Sequence, residues 1–323
     1  FPYTTLFRSG DGFKKSLFAQ ERDNMVDYIR ARVNDKIRFS FARCIEEMCA
    51  GEPYAISEDG SEADALLLTP QNTLSLYSKM METYPAYVYI SGEADDGSIQ
   101  RLVDSFLVSK RGRVKNIETA CVQKNVKEVK RIDETMDVSQ GKLCIGFRTH
   151  VDPLSPDYYP LVVYNGILGG DTHSKLFQNV REKASLAYYT QSVLEKYKGL
   201  MVIMSGIEAE NREKAEEIIL KQVEEMKKGN ISEGEIKATK KALETGMKSM
   251  QDSQGAIVDY FMSQHLTDGD EDFESTTAKF NDVTVDDVAR VAQNIQLDTV
   301  YFLKPGAGNS PKPKAENGKE GKA

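Results

Sequence analysis

Histidine is scarce in this chain of 323 residues: His150, His173 and His265 are the full complement. No two of them stand one helical turn apart, so the sequence offers no H-x-x-E-H zinc motif. His150 lies near Asp152 and His173 near Asp171, but loop histidines beside acids are commonplace, and neither is taken as a metal ligand. Cysteine is equally sparse. Cys44, Cys49, Cys121 and Cys144 form no C-x-x-C pair and no zinc-ribbon spacing. With no secretory signal, they read as reduced thiols of a cytoplasmic protein. No apolar run approaches the roughly 18 to 20 residues of a membrane span. A net charge of −8 and a pI near 5.2 argue against nucleic acid or an anionic membrane as the main partner. Nucleophile elbow, P-loop and EF-hand loop are all missing. Gly166-x-x-Gly169-Gly170 follows a helical pattern rather than a strand, so it reads as a helix stop and not a dinucleotide fingerprint.

What remains is an ordinary globular composition, 40% hydrophobic and 28% charged, long enough for two cores. Residues 1–12 join abruptly to a helix in full pattern and are expected to be a non-native stub, with the native N-terminal region missing. A charged amphipathic helix over 13–33 carries Leu17, Met25, Ile29 and Val33. Asp35 is placed to cap the next, marked by Ile37, Phe41, Ile45 and Met48 and ended by Gly51-Glu52-Pro53. Thr69-Pro70 opens a helix with Leu74, Tyr77 and Met81 inward. Residues 86–91 alternate as a short strand, and 92–107 read as a turn and a helix.

Lys110 to Arg131 is basic, with only Glu118 and Glu128 opposing eight cations. It is read as a solvated linker rather than an anion-binding patch, since few aromatics are interleaved. Residues 126–136 and 142–150 are expected to pair as a hairpin around Ser139-Gln140-Gly141. A second hairpin is expected around Lys198-Gly199. Ala215, Ile218, Ile219, Val223 and Met226 mark an amphipathic helix. Ser232 and Glu235 form a capping box for a long helix reaching about His265. Thr284 caps a helix with Val288, Val291 and Ile295, and 299–303 is a closing strand. The tail, 305–323, has nothing to bury and is expected to be disordered. The class is α+β, antiparallel sheets packed against helices, with 13–108 and 126–304 as two units joined by 109–125.

The chain is organised around residues 161–192, LVVYNGILGGDTHSKLFQNVREKASLAYYTQS. An apolar helix stops at Gly169-Gly170, where positive φ and a sharp turn are permitted. A second helix follows, capped by Asp171, Thr172 or Ser174, and gives way at Ala184-Ser185 to a Tyr- and Thr-rich strand. That bend draws Arg181 and Tyr188 together. A fixed cation and a phenol suit holding the carbonyl of an extended peptide, although Arg181 also has Glu182 or Glu195 to pair with.

GGDTHSKLFQNVREKASLAYY closely resembles the C-terminal half of the insulinase/pitrilysin peptidases, the inverzincin family that includes the mitochondrial processing peptidases. SKLF, VREKASLAYY, KGLMVIMSGIE and LDTVYFL look most like a bacterial branch regarded as inactive partners of a catalytic sister. That branch is linked by name to elongation factor P modification. The resemblance implies a repeat of two related halves, the first incomplete here, with Arg181 and Tyr188 reaching a substrate near a zinc site. It further implies a third zinc ligand seven residues beyond a family glutamate. Glu21 matches the glutamate, but Tyr28 stands where the ligand belongs, and a phenol with pKa near 10 is a poor substitute. The expectation is a peptide-binding subunit without a metal of its own, in a heterodimer whose zinc-bearing sister peptidase subunit acts on a peptide or unfolded polypeptide. The alternatives are a truncated active zinc endopeptidase and a scaffold without a hydrolytic partner.

Overall fold

Val300, Tyr301, Phe302 and Leu303 are all buried, and a run of that kind needs cover on both faces of a sheet. The computed structural model, which describes residues 8–9, 12–93, 95–106, 112–115 and 124–306, gives it that cover. The sheet is built from β1 (Lys130–Met136), β2 (Gly141–Arg148), β3 (Ala187–Glu195), β4 (Leu200–Ile207) and β5 (Gln296–Pro305). Its spatial order is β1-β5-β2-β4-β3. The pairings β5–β2, β2–β4 and β4–β3 are antiparallel, and β1–β5 at the edge is parallel. The α+β class holds, with one parallel pairing in an otherwise antiparallel sheet.

The first expected hairpin does not form, because β5 inserts between β1 and β2. The reason lies in the side chains. β1 alternates exposed charge with half-buried residues, which suits an edge, whereas β5 must be interior. The second hairpin forms as expected, from Ala187↔Ile207 to Glu195↔Leu200.

One face of the sheet, with Leu143, Ile145, Phe147, Met201, Ile203, Val300 and Phe302, packs on the helices that follow β2. These are α6 (Tyr158–Gly169), α7 (Arg212–Lys227), α8 (Glu233–Met250), α9 (Gln254–Leu266), α10 (Phe273–Asp282) and α11 (Val285–Ala292). Before them in the chain come α1 (Lys15–Ala31), α2 (Lys36–Met48), α3 (Glu62–Leu66), α4 (Pro70–Thr83) and α5 (Asp96–Phe106). The opposite face is closed by α2, whose Cys44, Ile45 and Met48 meet Cys144, Val202, Met204, Tyr301 and Leu303. Gly146 makes this approach possible, since a Cβ there would lie 2.2 Å from Met48 Sδ. Cys44, Cys49 and Cys144 are free and buried, and burial pushes the Cys144 thiol up to about 12.

Several local expectations hold in detail. Asp35 caps α2 through the Ile37 and Arg38 amides, and Thr69, Ser232 and Thr284 each close a capping box. Others are corrected. The helix expected from Ser232 to His265 breaks after Met250 and restarts under a Ser253 cap, in a stretch of polar and glycine residues that form helix poorly. Residues 86–91 are irregular rather than a strand, and the rings of Tyr87 and Tyr89 turn to His265 instead. In α4 no residue is buried, and Tyr77 and Met81 are exposed. In α1 it is Val26 rather than Met25 that is buried. The stub expected at the start contributes a two-residue ladder, Arg8–Ser9 with Gly12–Phe13, and otherwise lies outside the described residues. So does the tail beyond 306. Of the basic stretch, Lys124 faces Glu52, Lys130 donates to the Glu47 carbonyl and Arg131 pairs with Glu216; 107–111 and 116–123 lie outside the described residues.

Where α2 gives way to 49–59, a group of charges buries itself against the sheet. Arg148, 2% exposed at the end of β2, holds Asp298 at 2.9 Å and Glu52 at 3.2 Å. Lys198, in the turn before β4, reaches Glu52 at 2.6 Å. Burial works to raise the Glu52 pKa, but the Lys198 hydrogen bond and the Arg148 charge outweigh it and hold the carboxyl below its ordinary range. A lowered folded-state value means that the stabilisation is complete above the ordinary glutamate range. It is lost as pH falls through the folded value. Glu52→Ala, which takes from buried Arg148 and Lys198 the carboxylate they share, is expected to cost about 3–5 kcal/mol in urea unfolding at neutral pH. The deficit should shrink as the titration is carried into acid.

The Gly169-Gly170 stop is needed for space rather than for positive φ, since Gly170 sits at φ −80°. A Cβ on Gly169 would lie 2.6 Å from both the Ser192 amide nitrogen and Oγ, and one on Gly170 would lie 2.8 Å from Gly166 Cα. The end of α6 thus rests directly on β3. Gly169→Ala is expected to destabilise by about 1–3 kcal/mol, read as a lowered urea midpoint at unchanged slope.

Candidate functional site

Between α6 and β3 the chain makes a wide turn. Ser174 caps it, its hydroxyl accepting from the Phe177 amide at 3.4 Å, and residues Phe177–Lys183 are π-helical. π-Turns are rare and concentrate at functional sites. This one drives Val180 into the core and leaves Arg181 outside. It ends in a left-handed residue, Ser185 at φ +53°, and the Leu186 amide donates back to the Val180 carbonyl at 3.1 Å, one residue wider than a Schellman bond as befits a π-turn. A residue with a Cβ therefore takes the left-handed position usually given to glycine.

The strand that follows begins with a bulge. Ala187 pairs with Ile207 and Tyr189 with Gly206, so Tyr188 is the extra residue. Bulges re-aim side chains, and Tyr188 is 55% exposed while its neighbours Ala187 and Thr190 are buried. Gly206 accommodates the distortion, since a Cβ there would lie 2.4 Å from the Tyr189 ring.

The π-turn packs on β3, so Arg181 and Tyr188 sit on neighbouring elements. Each faces its own partner. The Arg181 guanidinium lies 4.7 Å from the Phe177 ring centre and 3.8 Å from Glu182, contacts that restrain an exposed cation without neutralising it. Glu195, the other acid open to Arg181 in the sequence, instead accepts from Tyr54 at 2.8 Å. The Tyr188 hydroxyl donates to Glu208 Oε1 at 2.5 Å. That hydrogen bond, followed by the charge of Glu208, raises the Tyr188 pKa.

Glu208 was missed in the sequence, and so were two neighbours. Gln140 donates to the phenol oxygen, a bond that works to lower the Tyr188 pKa, and half-buried Lys142 stands near Glu208, its ammonium 5.6 Å from the Tyr189 ring. Burial lowers the Lys142 pKa against the pull of Glu208. Counting back from the Lys198-Gly199 turn places Glu208 opposite the start of β3, so the hairpin register held the signal.

Glu21 and Tyr28 both lie on the exposed side of α1. Tyr28 lines a cleft of about 840 Å³ with Arg38, Phe39, Tyr54, Ile56 and Glu195. His173 contacts Thr239 at 2.9 Å and His150 contacts Gln296 at 3.3 Å. Among the described residues, no three His, Cys, Asp or Glu side chains converge to hold a metal ion. The donors on α1 do not fit zinc.

The family model described as the peptidase M16 inactive domain matches residues 68–243. "Probable inactive metalloprotease YmfF" of Bacillus subtilis (strain 168) is 37% identical over 301 residues, 93% of this chain and 70% of the relative. "Uncharacterized zinc protease YmxG" of the same organism is 25% identical over 185 residues, 56% of this chain and 45% of that protein. Among solved structures, a conserved protein from Enterococcus faecalis V583 superposes with a TM-score of 0.84 at 25% identity, covering 93% of this chain and 71% of that one. The peptidase M16 inactive domain from Pseudomonas fluorescens superposes at 0.75 and 18% identity, covering 93% and 73%. By a family match over more than half its length and a relative 37% identical across 93% of it, this chain belongs to the peptidase M16 family, as an inactive metallopeptidase homologue.

Proposed function

We propose that the chain is the peptide-holding subunit of a two-chain peptidase, in which Arg181 and Tyr188 contact the backbone of an extended polypeptide and a zinc-bearing sister cuts it. The observation that carries this reading is the pairing of a π-turn and a bulge. A π-turn on one element and a bulge on the strand it packs against leave a cation and a phenol exposed on neighbouring elements. Tyr28 at the third-ligand position supports the division of labour, because a phenol is a poorer zinc ligand than the carboxylate that belongs there. The chain's own residues bind and orient: Arg181 supplies guanidinium donors to a peptide carbonyl, and holding it in place lowers the entropic part of the barrier. The metal and its activated water belong to the sister.

We assign the complex to the cytoplasm from the reduced thiols. A tie to elongation factor P modification is carried by the resemblance alone. A pull-down that recovers the modification enzymes without a sister peptidase would favour a scaffold in its place.

In a complex reconstituted with an H-x-x-E-H sister, Arg181→Ala is expected to lower kcat/KM for peptide cleavage by about 10²-fold. Zinc content and the assembled mass should be unchanged. Full activity of that variant would show that the site plays no part.

A further inference from the structure

The phenol of Tyr188 has one proton and two lone pairs. The proton is already committed: it lies on the 2.5 Å bond to Glu208. A carboxylate can only accept, so the direction of this hydrogen bond is fixed at neutral pH. Giving its proton to an ionised acceptor makes the phenol oxygen richer in charge and a better acceptor in turn. Arg181 is the opposite case, five N–H donors and no lone pair to offer. The two exposed groups of this site therefore have complementary polarity. A peptide backbone has the matching pair, since each unit carries one C=O and one N–H.

We propose that Glu208 is a specificity-determining positioning residue of this site: by taking the Tyr188 proton it makes the phenol oxygen read a backbone N–H of the bound peptide, beside the C=O that Arg181 takes. The inference rests on the reading of Arg181 and Tyr188 as peptide contacts, and narrows it. A ligand must bring a free N–H as well as a carbonyl, so a proline or any N-substituted residue at that register is disfavoured. The rest of the constellation is built for this. Gln140 takes one lone pair of the phenol oxygen and leaves the other for the ligand, Lys142 stands near Glu208 and opposes its charge, and the bulge keeps the Tyr188 side chain exposed. Glu208 itself follows β4 directly, so the Ala187↔Ile207 pairing fixes how far it sits from the phenol.

An ester scan tests the proposal, because replacing one amide by an ester removes an N–H without adding bulk. The probe is a fluorescein-labelled decapeptide of alternating leucine and serine, with a set of variants each carrying one ester. Affinities are read by fluorescence anisotropy on the full chain. For the wild type, one ester position is expected to weaken binding by about tenfold. In Tyr188→Phe and in Glu208→Ala that penalty should fall below about twofold, while Arg181→Ala weakens every peptide and keeps the penalty. Ester profiles that superimpose for wild type and Glu208→Ala would overturn the proposal and leave the peptide-holding reading intact. If the parent peptide binds Arg181→Ala and Tyr188→Phe as tightly as wild type, or does not bind the wild type, the peptide-holding reading fails instead. Glu208→Leu, which keeps much of the side chain's bulk but offers no acceptor, repeats the test should the alanine variant unfold.

Discussion

Arg148 is a cation with almost no access to water, and the architecture closes around the need to neutralise it. Its partners come from far away in the chain: Asp298 from β5, Glu52 from the segment after α2, and Lys198 sharing Glu52 from the turn before β4. A buried ion group of this kind adds little net stability, because desolvation consumes most of the Coulomb gain. Its influence lies in the penalty for breaking it. Any shift of α2 along the sheet would leave a charge stranded, so the helix that closes the second face has one register.

That closure links the residues before β1 to the sheet. Cys44, Ile45 and Met48 fill the face that β5 and β4 present, and Gly146 gives Met48 its space. Ile37 on the same helix points away and is exposed. The opposite end of β2 and β4 carries the other polar group, and there the physics is reversed. Tyr188, Glu208 and Arg181 remain in contact with solvent, where hydrogen-bond direction matters more than charge burial. One sheet thus keeps a buried ionic group at one end and an exposed, directional group at the other.

Local chemistry was legible wherever one residue determines the outcome. The Asp35, Ser232 and Thr284 caps and the Lys198-Gly199 hairpin depend on side chains within a few positions of each other, and all are present. Arg181 and Tyr188 stood out by type and spacing, but the π-turn and the bulge that expose them did not, since neither has a residue signature of its own. Glu208 was hidden for a different reason. Its partner is twenty positions away across a hairpin whose bulge shifts the register. The misread hairpin of β1 and β2 failed because turn residues at 139–141 say nothing about which strand will be drawn between their flanks.

Residue identity alone determined the capped helix starts at Asp35, Thr69, Ser232 and Thr284, the α+β class and the want of a paired-histidine zinc motif, because each follows from interactions within a turn or two of the chain. Tertiary structure decided the rest. The insertion of β5 beside β1, the single register of α2 and the partner of the Tyr188 proton are settled by competition among residues over a hundred positions apart or across a bulge. That competition is decided by which groups can be buried together, and burial is a property of the assembled sheet rather than of any stretch within it.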